Sequence, residues 1–286
     1  MNNEAYTLYT PAERRTPVVF SSPHSGRDYA AEFLKASILD PHMIRSSEDA
    51  FVDDLFRAAP EHGAPLLTAR APRAFIDLNR AVDELDPAVI EGISRSPHNP
   101  RVASGLGVIP RVVAGGRPIY RGKLSLAEAE DRLARHWHPY HAALKALTDE
   151  SHTQFGQAIL IDCHSMPHEA IESHARPGLP RPQVVLGDRF GAAAARDVIN
   201  QVEAAFIRAG LRVSRNAPFA GAYITQAYGR PSRGFHVVQV EIDRALYMDE
   251  PKIEPSADFD AFRALITGVI AEITEIGRAS LPLAAE

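Results

Sequence analysis

The chain has 286 residues and a formal net charge of −5, with 45% hydrophobic and 23% charged residues. These values are ordinary for a soluble globular enzyme, and one α/β domain can hold a chain of this length. The negative charge and the lack of a long basic run argue against a nucleic-acid partner, because phosphate binding needs clustered lysines and arginines. An acidic small molecule is compatible with the sequence, since one or two local arginines can hold a carboxylate.

Cysteine content and hydropathy indicate where the protein works. Cys163 is the only cysteine, so no intrachain disulfide can form, as expected in a reducing compartment. The N-terminal stretch lacks the apolar core of a signal peptide, and no apolar run approaches the ~18 residues that span a bilayer. We therefore expect a cytoplasmic protein that does not associate with membranes. The sequence does not indicate an oligomeric state.

The first half of the chain alternates strand-like and helix-like segments. Val18–Ser22 is a short β-rich run stopped by proline and glycine, and 66–69 and 75–78 resemble further strands. A helix is predicted over 47–59 because its apolar residues follow helical spacing; they are Phe51, Leu55, Phe56 and Ala59. A second helix begins at Ser125, where Ser125 and Glu128 form a capping-box pattern. Between them, the Pro-, Gly- and Arg-rich segment 83–118 is expected to form a long ordered loop near the site.

The second half continues the alternation. Strands are predicted at 158–163, 184–186 and 236–243, with helices at 190–209 and 259–276. This order favours an α/β fold, with a mixed, mostly parallel sheet flanked by helices on both faces. No repeat or linker divides the sequence. We therefore predict a single catalytic domain over residues 1–286, with a motif-bearing core at about 16–278.

Two histidines follow predicted strands and are candidate metal ligands. His24 follows the first strand and His164 follows the strand at 158–163, where the carboxyl ends of sheet strands collect ligands. Two imidazoles and one carboxylate give Zn²⁺ three ligands and leave one position open for water. The carboxylate is expected from Glu48, Asp49 or Asp53, of which Asp49 is favoured and Glu48 comes next.

Ordinary structural explanations compete with the metal site. A histidine after a strand is more often a loop or capping residue, and acidic residues near a helix start usually interact with its dipole. His136, His138 and His141 resemble a ligand cluster. Their spacing on one helix is nevertheless more typical of a solvated or half-buried face.

The stretch RAFIDLNR carries a more specific signal. Arg80 can hold a substrate carboxylate in bidentate fashion, and Asn79 supplies another donor beside it. Arg73 could donate to a scissile carbonyl oxygen as negative charge develops there. A structural ion pair between Asp77 and Arg80 is the competing interpretation, with similar weight.

Glu241 lies within the apolar strand-like run VVQVEID, where a carboxylate is costly unless it has a partner or a task. Beside a metal-bound water it could act as general base and then protonate the leaving amine. A buried salt bridge to Arg233 or Arg244 is the alternative.

Several motifs together resemble those of N-formylglutamate amidohydrolases, which are related to zinc carboxypeptidases and aspartoacylases. In chain order they are PHSG, EDAFVDDLF, RAFIDLNR, DCHSMP, GAYITQAYGRP and VVQVEIDRALYM. They span about residues 18–250, and RAFIDLNR and DCHSMP are the most specific of them. The resemblance implies a zinc-carboxypeptidase-like fold.

The resemblance also implies roles for individual residues. His24, an acidic residue and His164 would hold zinc, while Asn79 and Arg80 would bind a substrate carboxylate. The relatives take their first two ligands from His-x-x-Glu, but the third residue after His24 is Arg27. The acidic ligand must therefore come from elsewhere in this chain.

The same resemblance gives Arg73 the polarisation of the scissile carbonyl and makes Glu241 the catalytic glutamate. The implied reaction is zinc-dependent hydrolysis of N-formyl-L-glutamate to formate and L-glutamate, a step in histidine degradation. A related zinc hydrolase of another N-acyl amino acid or short peptide would use the same residues. A carboxylate-binding protein without catalysis would keep Arg80 but would need neither Glu241 nor the two histidines.

Overall fold

A seven-stranded mixed sheet is the centre of the fold. The computed structural model describes residues 5–94, 99–172 and 181–278. The sheet has the strand order β1-β3-β2-β6-β9-β7-β8. Its strands are β1 Tyr6–Tyr9, β2 Val18–Ser22, β3 Leu66–Ala69, β6 Ala158–Met166, β7 Val184–Gly187, β8 Val213–Arg215 and β9 Phe235–Asp243. Two small antiparallel ribbons pair β4 Val112–Val113 with β5 Arg117–Pro118, and β10 Met248–Asp249 with β11 Glu254–Pro255.

The sheet is mostly parallel, as the sequence predicts. β6 pairs in parallel with β2 on one side and with β9 on the other, and β7 pairs in parallel with β8. The β7–β9 pair is antiparallel, in contrast to these three pairs. All nine residues of β6 are buried, which is typical of a parallel strand covered by helices.

Helices surround this sheet. They are α1 Ala31–Ala36, α2 Val52–Leu55, α3 Pro100–Ala103, α4 Leu126–Arg132, α5 His138–Phe155, α6 His168–Glu172, α7 Arg196–Arg208, α8 Tyr223–Tyr228 and α9 Phe259–Thr274. Ser125 caps α4 by accepting a hydrogen bond from the Glu128 amide, which confirms the predicted start. A wider helical turn, Leu133–Trp137, joins α4 to α5. Among the described residues, no helix is both long and apolar enough to cross a bilayer.

The helix predicted over 47–59 is wrong for most of its length. Only α2 and a short 3₁₀ turn at Ala59–His62 are helical there. Phe51, immediately before α2, has φ +65°, which is incompatible with a right-handed helix. Asp49 therefore lies in a loop, and Asp49 and Asp53 do not share a helix face.

One other predicted strand is absent, and two predicted boundaries are wrong. Residues 75–78 form no strand, because Phe75 and Ile76 turn back to donate to the Pro72 carbonyl. The strand predicted to end at Cys163 extends to Met166, so His164 lies inside β6 and not after it. The helix expected from residue 190 begins six residues later, since three consecutive residues from Arg189 have positive φ.

The described residues form two compact units. One contains the segments up to Thr7, Pro23–Ala50 and Thr68–Ala143; the other contains Leu8–Ser22, Phe51–Leu67 and the residues from Leu144 onward. A cluster of Phe33, Ile44, Ala74, Val113 and Ile119 forms part of the core of the first unit. Met166, Ile171 and Val185 pack together in the second. The single catalytic domain stays a prediction.

Candidate metal centre and active site

In the first unit, His24 lies between two aspartates. It follows β2 by two residues and is 2% exposed. Its Nε2 is 2.8 Å from Oδ1 of Asp77, and its Nδ1 is 3.4 Å from Oδ2 of Asp49. The amide of Asp49 also donates to the His24 carbonyl, at 3.1 Å, so the two loops are tied together. A carboxylate on one ring nitrogen fixes the imidazole and directs the other nitrogen to a metal.

Asp49 is better placed as a metal ligand than Glu48. The carboxylate of Glu48 accepts from Arg45, at 3.0 Å from Nε and 3.2 Å from Nη2, and from the Tyr29 hydroxyl at 3.1 Å. That network commits Glu48 to a buried ion pair. Of the two neighbouring carboxylates, the one directed at the His24 ring is that of Asp49.

The contact of Asp77 with the candidate metal ligand His24 is one that the sequence did not predict. Besides His24, its carboxylate accepts from Arg73 Nε at 3.0 Å and from the Asn79 amide at 2.9 Å. Burial acts to raise the pKa of Asp77, but His24 and the nearby arginines hold it well below its usual range. The signal was available, since Asp77 is a carboxylate in an apolar run, as Glu241 is.

Arg80 is held by carbonyl groups. Its Nε donates to the Leu106 carbonyl and its Nη1 to the Asn79 carbonyl, both at 2.9 Å. Trp137 donates to the carbonyl of Arg80 at 3.0 Å, which fixes the backbone. Within the described ranges the guanidinium makes no ion pair, so the Asp77–Arg80 pair of the competing interpretation is not present as a direct contact. Burial lowers the pKa of Arg80, although the charge of Asp77 opposes this shift.

The turn after β2 is packed tightly against the chain before Arg73. A Cβ atom placed on Gly26 would lie 2.1 Å from the carbonyl oxygen of Ala71 and 2.7 Å from that of Arg70. The Asp28 amide donates to the Arg70 carbonyl at 3.0 Å. Only a glycine fits at this position of the PHSG motif, because any side chain would overlap the neighbouring backbone.

In the second unit, β6 and β9 each carry a pair of polar residues two positions apart. On β6, Nε2 of His164 is 3.0 Å from Oδ2 of Asp162. On β9, Nε2 of Gln239 donates to Oε1 of Glu241 at 2.9 Å. His164 and Glu241 are register partners in the parallel β6–β9 pair. Residues two apart face the same side of a strand, so each pair can interact along its own strand.

The side chains of His24, Asp49 and His164 come together as one buried group. Each offers one ligand atom, and these atoms all lie within 4.8 Å of one another. It is the only group of three or more such donors found in the part of the chain that the structure describes. Two imidazoles and a carboxylate form the donor set of many catalytic zinc sites, so this group could bind a metal ion.

The histidines at 136, 138 and 141 do not form such a group among the described residues. His136 and His141 are buried, and His138 is exposed. A ring nitrogen of His141 is 2.9 Å from the Leu78 carbonyl, and burial lowers the pKa of His141 to about 4. This contact with the backbone gives His141 an ordinary structural explanation, although the solvated or half-buried face expected from the spacing is wrong for His136 and His141.

The mixed sheet and the buried His–Asp–His group together define the class as an α/β protein with a candidate metal centre. Residues 16–248 match the family model described as N-formylglutamate amidohydrolase, and the chain belongs to this family.

Individual relatives agree with this assignment. The chain is 31% identical over 273 residues to an N-formylglutamate deformylase of Pseudomonas aeruginosa, covering 92% of this chain and 95% of that protein. It is 28% identical over 242 residues to an N-formylglutamate deformylase of Pseudomonas putida, covering 82% and 83%. The crystal structure of an N-formylglutamate amidohydrolase from Ralstonia eutropha JMP134 is similar with a TM-score of 0.90, at 35% identity over 97% of this chain and 100% of that one.

Proposed function

We propose that this protein hydrolyses N-formyl-L-glutamate to formate and L-glutamate with the help of a zinc ion. The observation that carries the proposal is the buried group of His24, Asp49 and His164 in a chain of this family. The substrate is the one named for the relatives. Its place in histidine degradation and a cytoplasmic location stay predictions from the sequence.

The three donors fit a zinc ion. At a Zn–N distance of about 2.0–2.1 Å, two ligands of a tetrahedral zinc are roughly 3.3 Å apart. The separation of 3.4 Å between His24 Nδ1 and Asp49 Oδ2 agrees with this value. Both histidines also have an aspartate on the other ring nitrogen, as metal-bound histidines commonly do. When bound, zinc would act as a Lewis acid toward the formyl carbonyl and the attacking water.

Asn79 and Arg80 are proposed to bind a substrate carboxylate. Arg80 is preorganised, because its Nε and Nη1 are already fixed by carbonyl groups. A buried arginine without an ion pair in the described chain favours the binding of an anion. The negative charge of the anion replaces the hydration that the guanidinium lost on burial. Arg73 would donate to the formyl oxygen as negative charge develops on it. The bond from its Nε to Asp77 limits the orientations of its guanidinium.

Glu241 is proposed to act as general acid and base. It would take a proton from the attacking water and then deliver it to the departing nitrogen of glutamate. The side chain is 9% exposed, and the Gln239 amide donates to its Oε1. The Gln239 Oε1 accepts in turn from the Ala222 amide at 3.0 Å, which fixes the amide that orients the carboxylate.

The proposal is tested by measuring formate and glutamate release on a panel of substrates. We expect one formate for each glutamate from N-formyl-L-glutamate, with lower efficiency on N-acetyl-L-glutamate and on short peptides. A higher efficiency on another panel member would make the chain a related hydrolase of that substrate. No hydrolysis of any member by zinc-loaded protein would overturn the proposal.

The zinc part of the proposal needs a metal measurement. A chelator should abolish activity, and added zinc should restore it. His164→Ala should purify with far less zinc than the wild type. His236→Ala is the matched control, since His236 is also buried but its Nδ1 accepts a hydrogen bond from the Ala195 amide. Full zinc occupancy and unchanged activity in His164→Ala would show that the site is misassigned.

A further inference from the structure

A short folded loop presents Arg101 on the surface of the first unit. The Asn99 side chain caps α3 by accepting from the Arg101 amide at 2.9 Å. The chain then turns at Gly105, whose φ of +81° favours glycine. The Leu106 amide donates to the Arg101 carbonyl at 2.9 Å, which closes the turn. Arg101 is therefore carried by a loop with a defined conformation, although its own side chain is exposed.

This loop is attached to the stretch that contains Arg80. The Leu106 carbonyl accepts from Arg80 Nε at 2.9 Å. The Val108 amide donates to the Glu84 carbonyl at 2.9 Å, and the Val108 carbonyl accepts from the Asp77 amide at 2.8 Å. One residue, Leu106, thus connects the backbone of Arg101 to the guanidinium of Arg80. Movement of this loop relative to Arg80 would break these hydrogen bonds.

Two positive charges are therefore held on one small piece of backbone. Neither Arg80 nor Arg101 makes an ion pair with any residue in the described ranges. Burial is the largest cause that lowers the pKa of Arg80, and the positive charges of Arg73 and then Arg101 lower it further. Arg101 therefore acts on Arg80 electrostatically. Like charges repel, and a ligand with two negative charges would relieve the repulsion.

We propose that Arg101 binds the side-chain carboxylate of a dicarboxylate substrate while Arg80 holds its α-carboxylate. The inference rests on the proposed function, and it adds a residue that selects glutamate over neutral side chains. The assignment of one substrate carboxylate to each arginine follows from the position of Arg80 along the chain. Arg80 is three residues from Asp77, which contacts the metal-ligand candidate His24, and the α-carboxylate is the one nearer the scissile bond. The exposed Arg101 is left for the distal carboxylate.

The test compares two substrates that differ only in the side-chain charge. The catalytic efficiency, kcat/KM, is measured for N-formyl-L-glutamate and N-formyl-L-glutamine with the wild type, Arg101→Ala and Arg101→Lys. We expect Arg101→Ala to lose about 10- to 100-fold on N-formyl-L-glutamate, mainly through KM, because a hydrogen bond to a charged group is lost. Its efficiency on N-formyl-L-glutamine should stay within about twofold of the wild type. Arg101→Lys should be intermediate on the glutamate substrate.

Arg121→Ala is the matched control, since Arg121 is another exposed arginine of the same unit and should change neither efficiency. An equal loss of Arg101→Ala on both substrates would overturn the inference, because it would indicate a structural role. Unchanged efficiency on N-formyl-L-glutamate would overturn it as well, while leaving the proposed function intact. If the wild type released no formate from N-formyl-L-glutamate, both the inference and the proposed function would fail.

Discussion

His164 of β6 and Glu241 of β9 are register partners in a parallel strand pair. Adjacent strands are about 4.8 Å apart, and register partners face the same side of the sheet. A candidate metal ligand and the proposed proton carrier are therefore placed side by side by strand pairing alone. This relationship needs no loop to maintain it, because both residues lie in buried stretches of their strands.

The first prediction concerns Glu241→Gln. This change keeps the size and hydrogen-bonding capacity of the side chain but removes its ability to carry a proton. Turnover should fall by about 10²–10⁴-fold, the contribution typical of a general base. Zinc content and thermal midpoint should stay near those of the wild type. Turnover, bound metal and midpoint are measured on the same preparation.

The control for this prediction is Glu254→Gln, at an exposed position on β11. It should leave all three quantities unchanged. A structural ion-pair role for Glu241 would give the opposite pattern, with a lowered midpoint and a folded enzyme that still turns over. Turnover of Glu241→Gln within a few-fold of the wild type would contradict the mechanism.

The second prediction concerns the aspartate that holds His24. Asp77→Asn removes a charge that orients the imidazole, so zinc affinity or activity should fall by about 10- to 100-fold. Zinc affinity is measured by competition with a chelator. Asp86→Asn is the matched control, because Asp86 is also buried and also pairs with an arginine, Arg111 at 2.9 Å. Equal zinc affinities for the two variants would argue against the role of Asp77.

The third prediction concerns the proposed carboxylate anchor. Arg80→Lys keeps the charge but cannot reproduce two parallel hydrogen bonds or the existing bonds to two carbonyl groups. Catalytic efficiency should fall by at least about tenfold, as expected for the loss of one charged hydrogen bond. Arg121→Lys should behave as the wild type. A folded Arg80→Lys enzyme with wild-type efficiency would rule the anchor role out.

The fourth prediction concerns pH. His168 lies two residues past the end of β6, and its Nδ1 is 2.9 Å from Oδ2 of Asp243, the last residue of β9. This hydrogen bond, and then the charge of Asp243, raise the pKa of His168. A raised pKa in the folded state means that the stabilisation is complete below the unfolded value of 6.5 and is lost as pH rises through the folded value.

His168→Gln should therefore lower the thermal midpoint more at about pH 6 than at about pH 9. The acidic groups that face His168 are Asp243, Glu172 at 3.8 Å from Nε2, and Glu250, which accepts from the His168 amide. His138→Gln, at an exposed histidine, should change little at either pH. A midpoint difference that is the same at both pH values would show that the charge of His168 does not contribute.

The strands next to the candidate site were predictable, because strands covered on both faces have nearly continuous apolar sequences. VVFSS, AILIDC and HVVQVEID each occur as strands, although β6 continues three residues past its apolar part. The extension includes His164, which a hydropathy pattern excludes because the residue is polar. Its surroundings are polar as well: Asp162 contacts it within β6, and Glu241 is its register partner on β9.

The errors occurred where the backbone departs from regular geometry. Phe51 fits a helical apolar stripe, but its positive φ cannot be read from a phenylalanine. FIDL looks like a strand, yet Pro72 and the carbonyl of Val108 hold it in a turn. The contact of Asp77 with His24 was not predicted, because it spans 53 residues of sequence. Contacts of this kind depend on the tertiary fold and leave no local pattern.

The contact between Gly26 and Ala71 has a consequence for protein engineering. The missing side chain at Gly26 sets the gap between the segment that carries His24 and the segment that leads into Arg73. Where a turn needs glycine only for its left-handed backbone, asparagine is the usual substitute, because it tolerates that conformation. Here asparagine would not restore the gap, because the obstacle is a neighbouring carbonyl oxygen and not a torsion angle. Transplanting this donor set to another scaffold would therefore require the clearance between these two backbone segments to be copied before the ligands.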